Sequence, residues 1–485
     1  MISAAAGAAQ AQNQDSAEDR IKKLEAEFEA YKNKTDKERA ELKTQIDALK
    51  QKVEQGESAP ASRRAIDDAI AELQARVSSM QQNQTALQAS RGQRVAYLDI
   101  SFDLLTAVGG SQATDAQLQI VQPGGHDPKQ RGFTIQNAEL FMEGAVDPNF
   151  KGATNIVFQI DEQGATTIEL EEAYLVTTTL PENLQLKVGQ YFTDFGRINR
   201  QHPHEWAFAD ETLIINRMFG GDGLRGPGAM LSWLAPTDFY LELISGIQNA
   251  HGETQISFFA TPDSAPPITT SGGGTVPGTL GGRPFVPQDT KNMGDFLYSE
   301  RAVTSFDLDD ETTVVPGASF AFGPNSTGSS GNTQIYGLDL MGKWKPTAND
   351  QGWPFVQLQG EYMWRRFHAA SFSGDLDNDG INESFPTKNF RDDGFYAQLV
   401  YGFTRPWVAG LRVDYVNGNG ASTGGDGTLD REVRLTGDLT YYPSEFSKIR
   451  LQADLGKYEE LGNQSFLCVW LQSEILFGAH GAHKF

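Results

Sequence analysis

Between Thr193 and Gly226 the chain gathers groups that could act on an ion: Arg197, Arg200, Arg217 and Arg225 with His202 and His204 offer donors to an anion, and Glu205, Asp210, Glu211 and Asp222 could oppose them. Charges at a narrow passage sort solutes by field and radius together; the same stretch on an outer surface would only hold internal salt bridges. His202 and His204 are separated by one residue, too near for the usual structural zinc pair on a helix, and no cysteine or third histidine lies close in sequence. His480 and His483 make a second pair in the tail. In DLDNDG, Asp375, Asp377 and Asp379 followed by Gly380 match the opening of a calcium loop, whose turn lets several oxygens meet a hard cation. Pro386 stands where the closing Glu would be and Glu383 comes three residues early, so a Ca2+ site and an acidic solvated loop are both open readings. GGDGLRGPG, Gly220 to Gly228, lacks the Lys and Ser or Thr of a phosphate loop. No Ser, His and acid set has a nucleophile-elbow context, so an enzyme is not expected.

The elements that must position these groups are strands. The chain has 485 residues, 39% of them hydrophobic, and no apolar run approaches the roughly 18 residues of a spanning helix. From about Val95 the hydrophobic period is two. Leu98, Ile100, Phe102 and Leu104 alternate with Asp99, Ser101 and Asp103; Leu411, Val413 and Tyr415 alternate with Arg412 and Asp414. The same holds for Val356, Leu358, Tyr362 and Trp364 against Gln357, Gln359, Glu361 and Arg365, and for Ile449, Leu451 and Leu455 against Arg450, Gln452 and Asp454. One apolar and one wet face on every strand is the pattern of a barrel in lipid. Short turns such as VDPNF, LPENL, LAPTDF, LDDE, TRPW and YPSEFSK alternate with long Gly- or Pro-rich stretches, the largest from about Gln248 to Tyr298. The count predicts an all-β transmembrane barrel of about 16 antiparallel strands, whose third long loop is the Arg- and His-bearing stretch. Asp99, Asp103, Glu139, Glu143, Glu169 and Glu171 from early strands would then face Arg365, Arg412, Arg434 and Arg450 from late ones, a transverse field that any bulge would disturb. The last strand, SFLCVWLQSEILFGAHGAHKF, runs to Phe485, and a terminal aromatic resembles the assembly signature of outer-membrane barrels.

Ahead of the barrel, expected over 91–485, Ala9, Gln10 and Ala11 form an A-x-A cleavage pattern, so 1–11 reads as the end of a signal peptide without its basic region. Residues 12–55 and 66–90 have helical spacing, with Ile66, Ile70, Leu73, Val77, Met80 and Leu87 in a heptad frame, and Gly56 and Pro60 break the helix within a 56–65 linker. Helices this polar are expected to self-associate as a coiled coil. The net charge of −23 argues against a nucleic-acid binder. Cys468 is the only cysteine, which excludes an intrachain disulfide.

GFTIQNAELFMEGAVDPNF (Gly132 to Phe150), VGQYFTDFGRIN (Val188 to Asn199), DDGFYAQLVYGFTRPWVAGLRVDY (Asp392 to Tyr415) and RLTGDLTYYPSEFSKIRLQADL (Arg434 to Leu455) resemble the phosphate-selective porin O and P family, some members of which carry an N-terminal coiled coil. The resemblance implies a homotrimeric, sixteen-stranded, substrate-selective outer-membrane porin; the even strand count puts the coiled coil on the periplasmic side, and the expected role is passive diffusion of small polar or charged solutes, with anions one reading. No cofactor is expected beyond the calcium reading in an extracellular loop. Where phosphate-binding members tend to show an Arg-rich strand, this chain has IQNAELFMEG, so the phosphate ladder is not carried over. The alternative is a tether in which the coiled coil joins the outer membrane to peptidoglycan.

Overall fold

A computed structural model describes residues 98–160, 164–262, 267–350, 352–419 and 428–478, with Lys37 and Thr44, which are helical and exposed. The expected signal-peptide end, the coiled-coil helices as a whole, their linker, His480, His483 and Phe485 lie outside the described residues. The chain divides into two units, 1–97 and 98–485.

The second unit is a closed barrel of sixteen strands, each hydrogen-bonded antiparallel to its sequence neighbours and the last to the first. They are β1 (Leu98–Ser111), β2 (Gly132–Asp147), β3 (Phe150–Ile160), β4 (Thr166–Thr177), β5 (Leu184–Phe192), β6 (Arg225–Leu234), β7 (Tyr240–Asn249) and β8 (Phe296–Asp309). The second half comprises β9 (Thr312–Pro324), β10 (Asn332–Trp344), β11 (Phe355–Ala369), β12 (Lys388–Thr404), β13 (Trp407–Asn419), β14 (Glu432–Ser444), β15 (Ser447–Tyr458) and β16 (Gln464–Gly478). Two-residue turns close β2–β3, β8–β9, β12–β13 and β14–β15 at one end. The longest connections lie at the other: 112–131 (the first loop), 193–224 (the third), 250–295 (the fourth) and 370–387 (the sixth).

Period two sorts the side chains as the alternation requires. On β15, Ile449, Leu451 and Leu455 are exposed on the outside, and Lys448, Arg450, Gln452 and Asp454 are buried within. Leu439, Leu451 and Leu471 stand in register on three neighbouring strands, forming part of the apolar belt. An outward charge in a lipid belt costs about 2–4 kcal/mol at mid-depth. Leu451→Arg should therefore lower the urea midpoint of the barrel folded in liposomes, whereas Leu451→Phe should leave it near the parent value.

Away from the turns, two bulges among the described strands break the alternation. Leu105 pairs with Asn137 but Thr106 with Ile135, and Asn155 pairs with Glu172 but Ile156 with Leu170. A bulge turns successive side chains to one side. Gln136 and Asn137 are both buried in the lumen in consequence, as are Glu171 and Glu172.

The first, third and fourth loops fold inward. In the first, helix α1 (Asp115–Val121) starts at a capping box on Thr114 and Gln117. Its Leu118 and Val121 pack on Tyr458, Phe466, Cys468 and Trp470, which places the single thiol inside the wall. In the fourth, Phe258 and Phe259 join the buried cluster of the third loop.

Candidate functional site

The third loop leaves β5 at Thr193 and crosses the lumen. At Gly196 the backbone has φ +61, and a Cβ there would collide with the Glu361 carboxylate, so glycine is required where the chain meets the far wall. The Gly196 and Ile198 amides donate to Ser319 Oγ on β9 (3.0 Å) and Glu361 Oε1 on β11 (2.9 Å). The chain then returns to the early strands through a 3-10 turn, Pro203–Glu205, and runs along the late ones into helix α2 (Leu213–Phe219). Phe195, Ile214, Met218 and Phe219 pack with Ala321, Ile335, Met363, Tyr396 and Val416 from β9 to β13. The apolar residues of this polar-looking loop thus supply a core inside the barrel.

Its backbone is held by a row of cations. Lys448 Nζ donates to the His204 carbonyl (2.6 Å), an Arg450 amine to Trp206 (2.9 Å), and Arg412 Nη1 to Asp210 (2.9 Å), while Arg434 donates to Glu211. Asp210 Oδ2 lies 3.0 Å from Arg412 and 2.7 Å from Arg434, and Asp210 Oδ1 accepts from Gln452 (2.6 Å). Asp414 on β13 accepts from Arg412 Nε (2.8 Å) and the Leu213 amide (3.2 Å). Two guanidinium groups and two carboxylates, all buried, fix the middle of the loop to the wall.

This geometry alters the transverse-field expectation. Arg365 is paired with Asp392 (2.5 Å), Arg412 and Arg434 with Asp414 and Asp210, and Arg450 lies 3.7 Å from Asp438. Because Asp392, Asp414 and Asp438 of the late strands and Asp210 of the loop neutralise these guanidinium groups, the late strands present no open row of positive charge. On the early strands Asp103, Glu139 and Glu171 are buried in the lumen, but Asp99 is exposed and Glu143 is half-exposed against Lys151 (2.5 Å).

The four loop arginines are similarly engaged. Arg197 is bound to Asp339 (2.8 Å), Arg217 to Glu432 (2.8 Å), and Arg225 to Glu169 and Glu171. Arg200 alone of the four is more than half exposed, 3.5 Å from Asp194. Of the acids expected to oppose them, Glu205 is exposed and Asp210 and Glu211 are buried.

His202 and His204 meet the carboxylates of β1, β2 and β4. His202 Nδ1 lies 3.1 Å from Glu171 and 3.8 Å from Glu139, with Nε2 3.2 Å from Glu172; His204 Nδ1 lies 3.3 Å from Glu139 and 3.9 Å from Asp103. Burial opposes a charge on His202, but Glu139 and then Glu171 and Glu172 outweigh it and hold the pKa well above the ordinary imidazole value. For His204 the same opposition by burial is outweighed chiefly by Glu139. His126, from the first loop, reaches the other oxygen of Glu171 (3.2 Å).

Sequence spacing pointed to the two histidines and to three of these acids, but not to their meeting. Glu172 escaped because strict alternation sends it outward, and His126 because its loop folds in. Asp375, Asp377 and Asp379 do converge, their oxygens lying within 4.8 Å of one another. They receive the Asp379 and Gly380 amides and the Thr270 hydroxyl, while Glu383 instead accepts from the amides of Ser271 and Leu376.

No family model matches the sequence. A protein of Aquifex aeolicus described as uncharacterized is 32% identical over 431 residues, covering 82% of each chain. Similar solved structures include the outer membrane channel DcaP of Acinetobacter baumannii, at TM-score 0.50 and 9% identity over 80% of this chain and 99% of that one. Pseudomonas putida OprB follows at TM-score 0.45 and 10% identity over 78% and 94%. At this identity the DcaP likeness bears on the fold alone.

Proposed function

We propose that this chain, which belongs to the same family as the uncharacterized Aquifex aeolicus protein, is an outer-membrane porin through which small polar or charged solutes diffuse passively. The observation that carries the reading is a loop fastened across the lumen of a sixteen-stranded barrel whose outer face is apolar and whose inner face is polar. A barrel of this size without such a loop leaves a wide aqueous channel; the third loop is the element that narrows it. Solutes would pass the partly exposed inward groups near the loop, Arg200 and Asp194 among them, with water completing their hydration where the wall does not. Arg197, Arg217 and Arg225, being ion-paired, contribute little net attraction for an anion, so a dedicated phosphate path is not part of the proposal. A homotrimer, with residues 12–90 as a periplasmic coiled coil, is the assembly implied by the porin resemblance.

Single-channel recording of the purified full-length protein in planar bilayers tests this. We expect conductance steps in groups of three that millimolar phosphate leaves unblocked. Folded protein that gives no steps would overturn the channel; block by phosphate would return the anion reading and place it on Arg200.

A further inference from the structure

The register sets acids of like charge against one another in the lumen. Asp103 on β1 is directly opposite Glu139 on β2, and the bulge in β4 brings Glu171 and Glu172 to the same region. Like charges directly opposite on neighbouring strands are destabilising, and buried carboxylates require a cation or a proton. Asp103 is 3% exposed, and among the described residues neither of its oxygens accepts a hydrogen bond.

Two imidazoles face these acids. The rings of His202 and His204 are stacked, with centroids 5.7 Å apart and planes 9° from parallel. Glu139 lies between their ligand atoms: Oε1 faces His202 Nδ1 (3.8 Å) and Oε2 faces His204 Nδ1 (3.3 Å). One potential ligand set is His202, Glu139 and Glu171, the other His204, Asp103 and Glu139, and within each set the ligand atoms lie within 4.8 Å of one another. A carboxylate whose oxygens serve two neighbouring sets has the placement of a bridging ligand.

We propose that this cluster is a binding site for divalent transition-metal cations of the zinc class, seated between the third loop and the β1–β4 wall, with Glu139 shared by its two halves. Imidazole with carboxylate suits Zn2+ and its first-row neighbours, while the absence of sulfur from the set disfavours Cu(I). The chemistry also explains the architecture. A cation drawing ligands from β1, β2, β4 and the loop would fasten the loop to the early strands, next to the point where Lys448 of β15 holds the His204 carbonyl. Asn137 and Asn155 complete the surroundings by donating to Glu139 and Glu171, both at 2.9 Å, the kind of support that orients carboxylate ligands.

The test is calorimetric titration of the full-length, detergent-folded protein with ZnCl2 after chelator treatment, with zinc content measured by mass spectrometry after dialysis. We expect one or two zinc ions per chain. Glu139→Gln should weaken binding by more than about a hundredfold, beyond the 10–100-fold typical of losing only a supporting residue. Asp375→Asn with Asp377→Asn should leave it unchanged. Heat-modifiable migration on gels reports whether each barrel is folded, and His202→Gln serves if Glu139→Gln is not. A native barrel that retains no zinc, or retains it equally in the folded Glu139→Gln or His202→Gln variant, overturns the proposal. The readout needs no membrane current, so a silent bilayer recording would remove the channel reading and leave this site intact.

Discussion

Excising Gly196–Gly223 and joining the flanking residues through a short Gly-Ser turn raises single-channel conductance severalfold, because the element crossing the lumen is removed and a barrel of this size otherwise leaves an aqueous channel. The deletion is feasible because Phe192 and Arg225 are already paired in register at the ends of β5 and β6, so a tight turn can join the strands. The barrel itself should survive, since the ladder from β1 to β16 is hydrogen-bonded without the loop. The exposed lumen then contains Arg412, Arg434 and Arg450 without their loop carbonyls, but in water these charges are solvated. An excised variant that folds and conducts like the parent would show that ions pass by another route and that the loop is not the constriction.

The second large effect falls on Asp210. Its carboxylate is shared by Arg412 and Arg434 and is wholly buried, as is Arg434. Removing one partner of a buried ion cluster leaves an uncompensated charge and costs about 3–5 kcal/mol. In Asp210→Ala that cost should be concentrated in the seating of the third loop. We expect the loop to become cleavable by protease in the intact barrel, with noisier and larger current steps, and Asp210→Asn to show a smaller change. Asp414 remains to hold one guanidinium through Arg412 Nε at 2.8 Å, so the barrel wall should keep its heat-modifiable migration. Parental protease resistance in folded Asp210→Ala would mean that the apolar contacts of Phe195, Ile214 and Met218 hold the loop alone.

Much of the barrel was legible because lipid outside and polar groups inside impose period two on every strand. Leu451 against Arg450 and Gln452, or Leu411 against Arg412, gives the facing directly. The short turns were legible for a related reason: they interrupt that alternation with Pro, Asn and Asp, as in VDPNF and LPENL. Electrostatics inside the lumen was harder to read. Parity shows that Arg412 points inward, but not that Asp414, two residues on, neutralises it, or that Asp210 from a distant loop completes the cluster. The bulges hid Glu172 in the same way, because an inserted residue changes facing without a strong sequence signature. The third loop was recognisable from its place in the strand order and its charges, whereas its fixed path depends on Phe195, Ile214, Met218 and Phe219 finding a wall that alternation alone does not describe.

The row of cations that grips the third loop belongs to β13, β14 and β15, strands made long after the loop itself. Seating the loop is therefore tied to the end of biogenesis: the segment must already be inside, or must enter, as the final hairpin completes the ring. Closure of β16 onto β1 and capture of the loop by β13–β15 both join residues far apart in the chain, the sort of contact that topology makes slow. The loop's attachments to Ser319 and Glu361 on β9 and β11 do not depend on those later strands, so the strap is fastened in two stages, first on the far wall and then by the cations of β13–β15.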